Sequence, residues 1–286
     1  MTRTTPILSL VVALAVAGCG GSNSSSSNNS PAAVRATRGA ITARTATTVT
    51  VNGIQLSTAS AAVRSDGKPV LEATLAKGMV VTVRGHFDDR AGDATEIENE
   101  HAIEGQVDDK GVDFVDIDGQ RVHVDDSTEF GASHPDRLAS INVGDVIAVS
   151  GVADDHGGIH AGRIDDSPRQ GGADAGKDDL DLQGFVSNIV PGTRFELRIT
   201  PDAANHYVVL VSGVTLPPGF KDGARVEVHS LTAPAAGTGT LLGTITASSV
   251  ELEDGLQAPD EQGEMEIEGI VTSGTADAFV IDGMTV

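Results

Sequence analysis

The chain has 286 residues, and 41 Asp and Glu against 19 Lys and Arg give it a formal charge of −22. So negative a balance excludes a general phosphate-backbone binder, because the electrostatic part of nucleic-acid affinity comes from Lys and Arg. Aromatic residues are 3% of the chain while glycine reaches 34 residues, which excludes one large aromatic core and favours several small domains rich in Val, Ile, Thr and tight turns.

Residues 1–18 carry Arg3, then a largely apolar run from Ile7 to Ala17, then Gly18. The run is too short to cross a bilayer, which needs about 20 residues, and has the layout of a secretory signal. Val16-Ala17-Gly18-Cys19 resembles the lipobox of bacterial lipoproteins. That resemblance implies that the Cys19 thiol is acylated and that Cys19 becomes the mature N-terminus, anchoring the protein to the membrane. Cys19 is the single cysteine, so no internal disulfide competes for it. Gly20 rather than Asp follows it, which in the lipoprotein pattern implies the outer membrane. Residues 19–34 form a Ser/Asn-rich tether with nothing to bury, and a dozen such residues span roughly 20 Å.

Self-comparison of the remainder exposes a repeat. Gly39, Gly105 and Gly184 each open a unit, and Gly78, Gly144 and Gly223 each precede a run of alternating apolar residues such as Asp145 to Gly151. The units close on Ala-x-x-(Ile/Val)-acid, at Ala94 to Glu98, Ala161 to Asp165 and Ala247 to Glu251. Asn52-Gly53, Asp118-Gly119 and Asp282-Gly283 suit type I′ turns, which need φ > 0 at both central residues, so each predicts a two-residue hairpin. The third unit lacks this pair, makes a longer excursion from Pro201 to His206, and is expected to turn at Ser212-Gly213. A fourth unit opens at Gly269 and reaches only Val286, as expected of a fragment, because an isolated two-stranded hairpin is marginal in water.

Each complete unit reads as five or six short strands with no helical periodicity, and closure into a barrel is the economical way to bury one face and remove edges. The expected fold is all-β, with tandem small OB-like β-barrels joined by acidic Gly/Asp/Pro linkers. Repeat 1 takes residues 35–101, repeat 2 102–166, a linker 167–181, repeat 3 182–254, a second linker 255–266, and the start of repeat 4 267–286.

These landmarks resemble the bacterial domain of unknown function 5666. The likeness is carried by Gly105-Gln106-Val107, the strand before Asp118-Gly119, the strand from Asp145 to Gly151 and the closing Ala161 to Asp165. It extends over residues 38–286, strongest in the second unit and weakest in the third. It implies exported, often lipid-anchored chains with tandem copies of a small β domain, and no activity.

Charge is divided along the chain. Residues 1–85 carry eight Lys and Arg against two Asp and Glu, whereas residues 86–286 carry eleven against thirty-nine. A basic membrane-proximal part facing anionic lipid heads fits this pattern, and so does a secreted surface kept soluble by its net charge.

Two cation readings arise. Asp154, Asp155, His156 and His160 gather two imidazoles and two carboxylates, a donor set for Zn or Cu, although the segment reads as a hairpin loop and not as the helix on which a four-residue spacing converges. Asp113, Asp116, Asp118, Asp125 and Asp126 offer oxygens for Ca²⁺, but Phe114, Val115 and Ile117 interleave the first of them as in a strand. Neither is expected to form a tight site; a weak divalent-cation atmosphere fits better. Recognisable nucleophile, metalloprotease and phosphate-loop motifs are missing, and Ser133-His134-Pro135-Asp136 reads as a polar loop because sequence neighbours rarely converge as a triad. Base stacking in an OB groove needs aromatics and positive charge, both scarce here. The expected function is a non-catalytic cell-envelope lipoprotein, a binding or spacer array for a protein or glycan partner, without cofactor or nucleic acid. The alternative is a divalent-cation-binding envelope protein.

Overall fold

A computed structural model describes residues 34–153, 158–167, 180–252, 265–267, 271–274, 279–281 and 284–285. Repeat 1 supplies β1 (Arg35–Arg44), β2 (Thr48–Val51), β3 (Ile54–Ser57), β4 (Ala62–Ser65), β5 (Lys68–Pro69), β6 (Val80–Phe87) and β7 (Ala91–Asn99). Repeat 2 supplies β8 (Ile103–Lys110), β9 (Phe114–Ile117), β10 (Gln120–His123), β11 (Glu129–Phe130), β12 (Val146–Ala153) and β13 (Ile159–Asp166). Repeat 3 supplies β14 (Leu180–Val190), β15 (Arg194–Arg198), β16 (His206–Leu210), β17 (Arg225–Ser230), β18 (Ala235–Ala236), β19 (Leu241–Thr246) and β20 (Ser249–Leu252). Beyond them lie β21 (Met265–Ile267), β22 (Val271–Gly274), β23 (Phe279–Ile281) and β24 (Met284–Thr285). Among the described residues the only helical pieces are 3-10 turns at Glu72–Thr74 and Arg137–Ser140, so the all-β expectation holds.

The predicted turns set the local structure. Asn52 and Gly53 have φ of 52° and 79°, and Asp118 and Gly119 have 48° and 86°, the paired positive values of a type I′ turn. Each joins two four-residue strands with Val51 opposite Ile54 and Ile117 opposite Gln120. Burial alternates identically in both hairpins: Val49, Val51, Ile54 and Leu56 are buried in the first, Val115, Ile117, Gln120 and Val122 in the second. One face of each ribbon is therefore a core face, and a register slip by one residue would turn it to water.

The opening glycine and the turn act together. A Cβ on Gly39 would sit 2.1 Å from Asn52 Oδ1, and one on Gly105 2.2 Å from Asp118 Oδ2. The first strand leaves room for the turn side chain folding back over it, which explains why the two landmarks recur at one spacing.

In repeat 1, β1 pairs with β2, β2 with β3, β3 in parallel with β7, and β6 with both β7 and β1. Five strands thus close in the order 1-2-3-5-4, a Greek-key barrel of the OB type. Repeat 2 closes identically through β8, β9, β10, β13 and β12, with β10 and β13 parallel. Repeat 1 forms one compact unit, with β21 added in parallel to β1.

Repeats 2 and 3 form the main body of a second unit. Barrel 3 follows the same order, β14 to β15 to β16 and then in parallel to β19, but its fifth strand is broken. Ala247 N–H donates to Leu210 O on the β16 side and Ser248 N–H to His229 O on the β17 side. Consequently β19 stays on β16 while β20 pairs with β17 and closes the ring. Pro201 to His206 makes the expected excursion between β15 and β16. Ser212-Gly213 does not form the hairpin turn expected of it: it follows β16, whose partners are β15 and β19. The hairpin instead spans residues 199–205, because the extra residues lengthen the β15 to β16 connection.

Strand pairing joins barrels 2 and 3 directly. Glu104 lies opposite Asp181 and Ile103 opposite Leu182, so the first strands of the two barrels form one ladder. One buried apolar cluster runs from Ile103 and Ile117 to Tyr207 and Val250. The Tyr207 hydroxyl donates to Asp118 O at 2.8 Å, from barrel 3 to the turn of barrel 2. Most of the 167–181 linker and of the 255–266 linker lies outside the described residues. β22, β23 and β24 form a small antiparallel sheet, with Ile281 opposite Met284; Asp282-Gly283 lies outside the described residues.

Candidate functional site

Barrel 2 exposes an outer face built from β9, β10 and β13. Because Val115, Ile117 and Val122 point to the core, the alternation of a strand turns Phe114, Asp116, Arg121 and His123 outward. Antiparallel pairing sets Phe114 opposite His123 and Asp116 opposite Arg121. Parallel pairing then sets His123 opposite His160. The result is a row of ring side chains across three strands, with the His123 and His160 rings stacked at 5.0 Å between centroids and 27° between planes. Next to it the Arg121 guanidinium lies 3.6 Å from the Phe114 ring centre. Arg121 also reaches Asp116 Oδ2 at 2.9 Å; the Asp116 hydrogen bond raises the guanidinium pKa, against the opposing effect of burial.

Asp125 stands two residues beyond His123. Its Oδ1 accepts from Ser127 Oγ at 2.6 Å and Ser127 N–H at 2.7 Å. The Ser127 hydroxyl chiefly holds this carboxyl below its ordinary value, and the charge of His160 adds to the effect. On the other side of the turn, burial raises the Asp108 carboxyl, although the Gly119 N–H donates to it at 2.7 Å, and Asp116 nearby adds to the rise.

A second polar group lies in barrel 3. His229 Nδ1 is 2.5 Å from Asp181 Oδ1, while its Nε2 is 3.6 Å from Glu227 and 4.0 Å from Glu251. Asp181 and Glu227 are buried. Burial by itself would lower the imidazole pKa, but the hydrogen bond and charge of Asp181, with Glu227 and Glu251, raise it above its ordinary value. The folded state therefore favours the imidazolium. Its contribution is complete below about pH 6.5, the unfolded value, and is lost as pH rises through the raised folded value. Chemical denaturation followed from pH 6 upward is expected to show the wild-type midpoint falling over that window, and His229→Gln removing this component of the fall.

The residues singled out by sequence separate. Asp154, Asp155 and His156 lie outside the described residues, while His160 is exposed on β13 beside His123. Of the calcium candidates, Asp116 is bound to Arg121, Asp118 sits in the hairpin turn, Asp125 accepts from Ser127, and Asp113 gives its carbonyl to Val124 N–H. Asp126 is exposed on the loop after β10. Among the described residues no group of three or more His, Cys, Asp and Glu has a metal-holding arrangement. In the Ser133 to Asp136 segment, His134 is buried and lies 3.0 Å from Asp166 on β13, so it does not assemble a triad with its neighbours.

His123, Asp181 and His229 escaped the sequence reading. The first becomes visible only once β10 and β13 are known to be parallel neighbours, and the other two only once β14 and β17 are paired.

A family model described as Domain of unknown function (DUF5666) matches residues 38–98 and 104–165. The two matched segments lie in tandem and coincide with barrels 1 and 2. No curated protein matches the chain.

Proposed function

We propose that the chain is a non-catalytic lipoprotein of the bacterial cell envelope, held in the outer membrane by a lipid on Cys19, whose barrels serve as a binding or spacer array for a protein or glycan partner. The observation that carries the array reading is the β8 to β14 ladder with its continuous core. Two barrels joined by backbone hydrogen bonds and shared apolar burial cannot swing independently as linker-joined domains do. They hold whatever they contact in a set arrangement relative to each other. The lipobox, the Ser/Asn-rich tether and the basic character of residues 1–85 support the membrane address, since each cation near an anionic surface contributes about 1 kcal/mol.

Cys19→Ser is expected to move the protein from the membrane fraction to the soluble fraction, as read by fractionation and immunoblotting. Retention of the variant in the membrane would overturn the anchor. Capture of the wild-type protein from detergent-solubilised membranes is expected to enrich the same protein or glycan repeatedly; no enriched partner would remove the binding role.

A further inference from the structure

We propose that His123 and His160 form a two-imidazole site for a borderline-soft divalent metal ion, Zn(II), Ni(II) or Cu(II), on the outer face of barrel 2. This goes beyond the anchored array and does not depend on it.

The argument starts from the backbone. β10 and β13 are neighbouring parallel strands with His123 directly opposite His160, and both strands are tied into the closed ring of the barrel. The two side chains therefore spring from rigid, adjacent positions on one face, where cross-strand Cβ atoms lie within reach of each other's side chains. Their rings already stack at 5.0 Å. Rotation about side-chain bonds alone can turn one nitrogen of each ring to a common point, so little ordering entropy remains to be lost on binding.

The chemistry of the pair selects the ion. Neutral imidazole nitrogen suits Zn, Ni and Cu, whereas Ca and Mg require oxygen donors. The surroundings attract cations, because the chain is strongly acidic and the Asp125 carboxylate stands two residues beyond His123. Two protein ligands leave the remaining positions to water, which makes the site open and exchangeable, unlike a closed structural site.

The test is a competition titration of the full chain in detergent against a chromophoric chelator with Zn(II) or Cu(II). One ion per chain is expected to bind, and His123→Asn and His160→Asn are each expected to weaken it about tenfold or more. His86→Asn, on repeat 1, is expected to bind as the wild type does, and excess Ca²⁺ is expected not to displace Zn(II). Electron paramagnetic resonance of the Cu(II) form is expected to show coupling to two imidazole nitrogens, reduced to one in either variant. Unchanged metal-free melting midpoints would establish that these surface variants fold. Wild-type affinity in both folded variants, or displacement by Ca²⁺, would overturn the proposal.

Discussion

Replacing Tyr207 by Ala is expected to destabilise the unit formed by repeats 2 and 3 by about 3–5 kcal/mol, the range for losing a fully buried aromatic ring. Tyr207→Phe, which keeps the ring, is expected to lose about 1 kcal/mol, the worth of one hydrogen bond. Tyr207 is the single tyrosine of the chain and is 0% exposed. Its hydroxyl donates to the Asp118 carbonyl across 89 positions of sequence. Burial pushes its pKa well above the ordinary phenol value, and the charges of Asp118, Asp108 and Asp116 push in the same direction, which favours the protonated hydroxyl that donates this bond. Because one apolar cluster spans both barrels, the loss should lower a single cooperative transition. Urea denaturation followed by circular dichroism and by tyrosine fluorescence, the latter in the wild type only, checks this. Two separate transitions, one insensitive to Tyr207→Ala, would contradict the shared core.

Gly105→Ala is expected to cost about 1–3 kcal/mol through overpacking, and to cost measurably less when Asp118→Gly is present. The new Cβ would stand 2.2 Å from Asp118 Oδ2 and 2.9 Å from Ile117 Cγ2. Moving the carboxylate away also loses its contact with Gln106 N–H at 3.3 Å. Removing the Asp118 side chain relieves the closest clash while the Gly-Gly turn keeps its φ > 0 geometry. A double-mutant cycle in denaturant reads the coupling directly. Additive effects would mean that the opening glycine and the turn residue are independent features. At Gly184 the neighbour is the Arg198 carbonyl, 2.5 Å from the Cβ position. That backbone atom has no side chain to delete, so Gly184→Ala should find no such rescue.

The contrast between these two glycines marks how far local sequence reaches. In repeats 1 and 2 the turn is encoded by Asn52-Gly53 and Asp118-Gly119, whose left-handed conformations follow from the residues themselves. In repeat 3 no such pair constrains the β15 to β16 connection, and the sequence pointed to Ser212-Gly213. Gly213 does have φ of 85°, but it turns the chain away from the sheet after β16. A favourable turn residue states how the chain bends and not which strands meet across the bend.

The candidate site was legible only in part for a related reason. His160 stood out beside Asp154, Asp155 and His156 because those residues are close in sequence. Its partner on the barrel surface is His123, which looked unremarkable at the end of a four-residue strand. A parallel pair has no connecting hairpin, so nothing local marks two of its residues as opposites.

By itself, then, the sequence determined the all-β class, the type I′ turns at Asn52-Gly53 and Asp118-Gly119 and the alternation of buried and exposed positions in their hairpins, all of which arise from φ preferences and side-chain period within a few residues. Tertiary structure decided the parallel closure that brings His123 to His160, the break at Ala247-Ser248 that lets one segment serve two neighbours, and the β8 to β14 ladder that makes repeats 2 and 3 one body. Those outcomes depend on which strand edges find each other once the barrels have closed, and a strand's hydrogen-bonding edge is backbone, which every residue type presents alike.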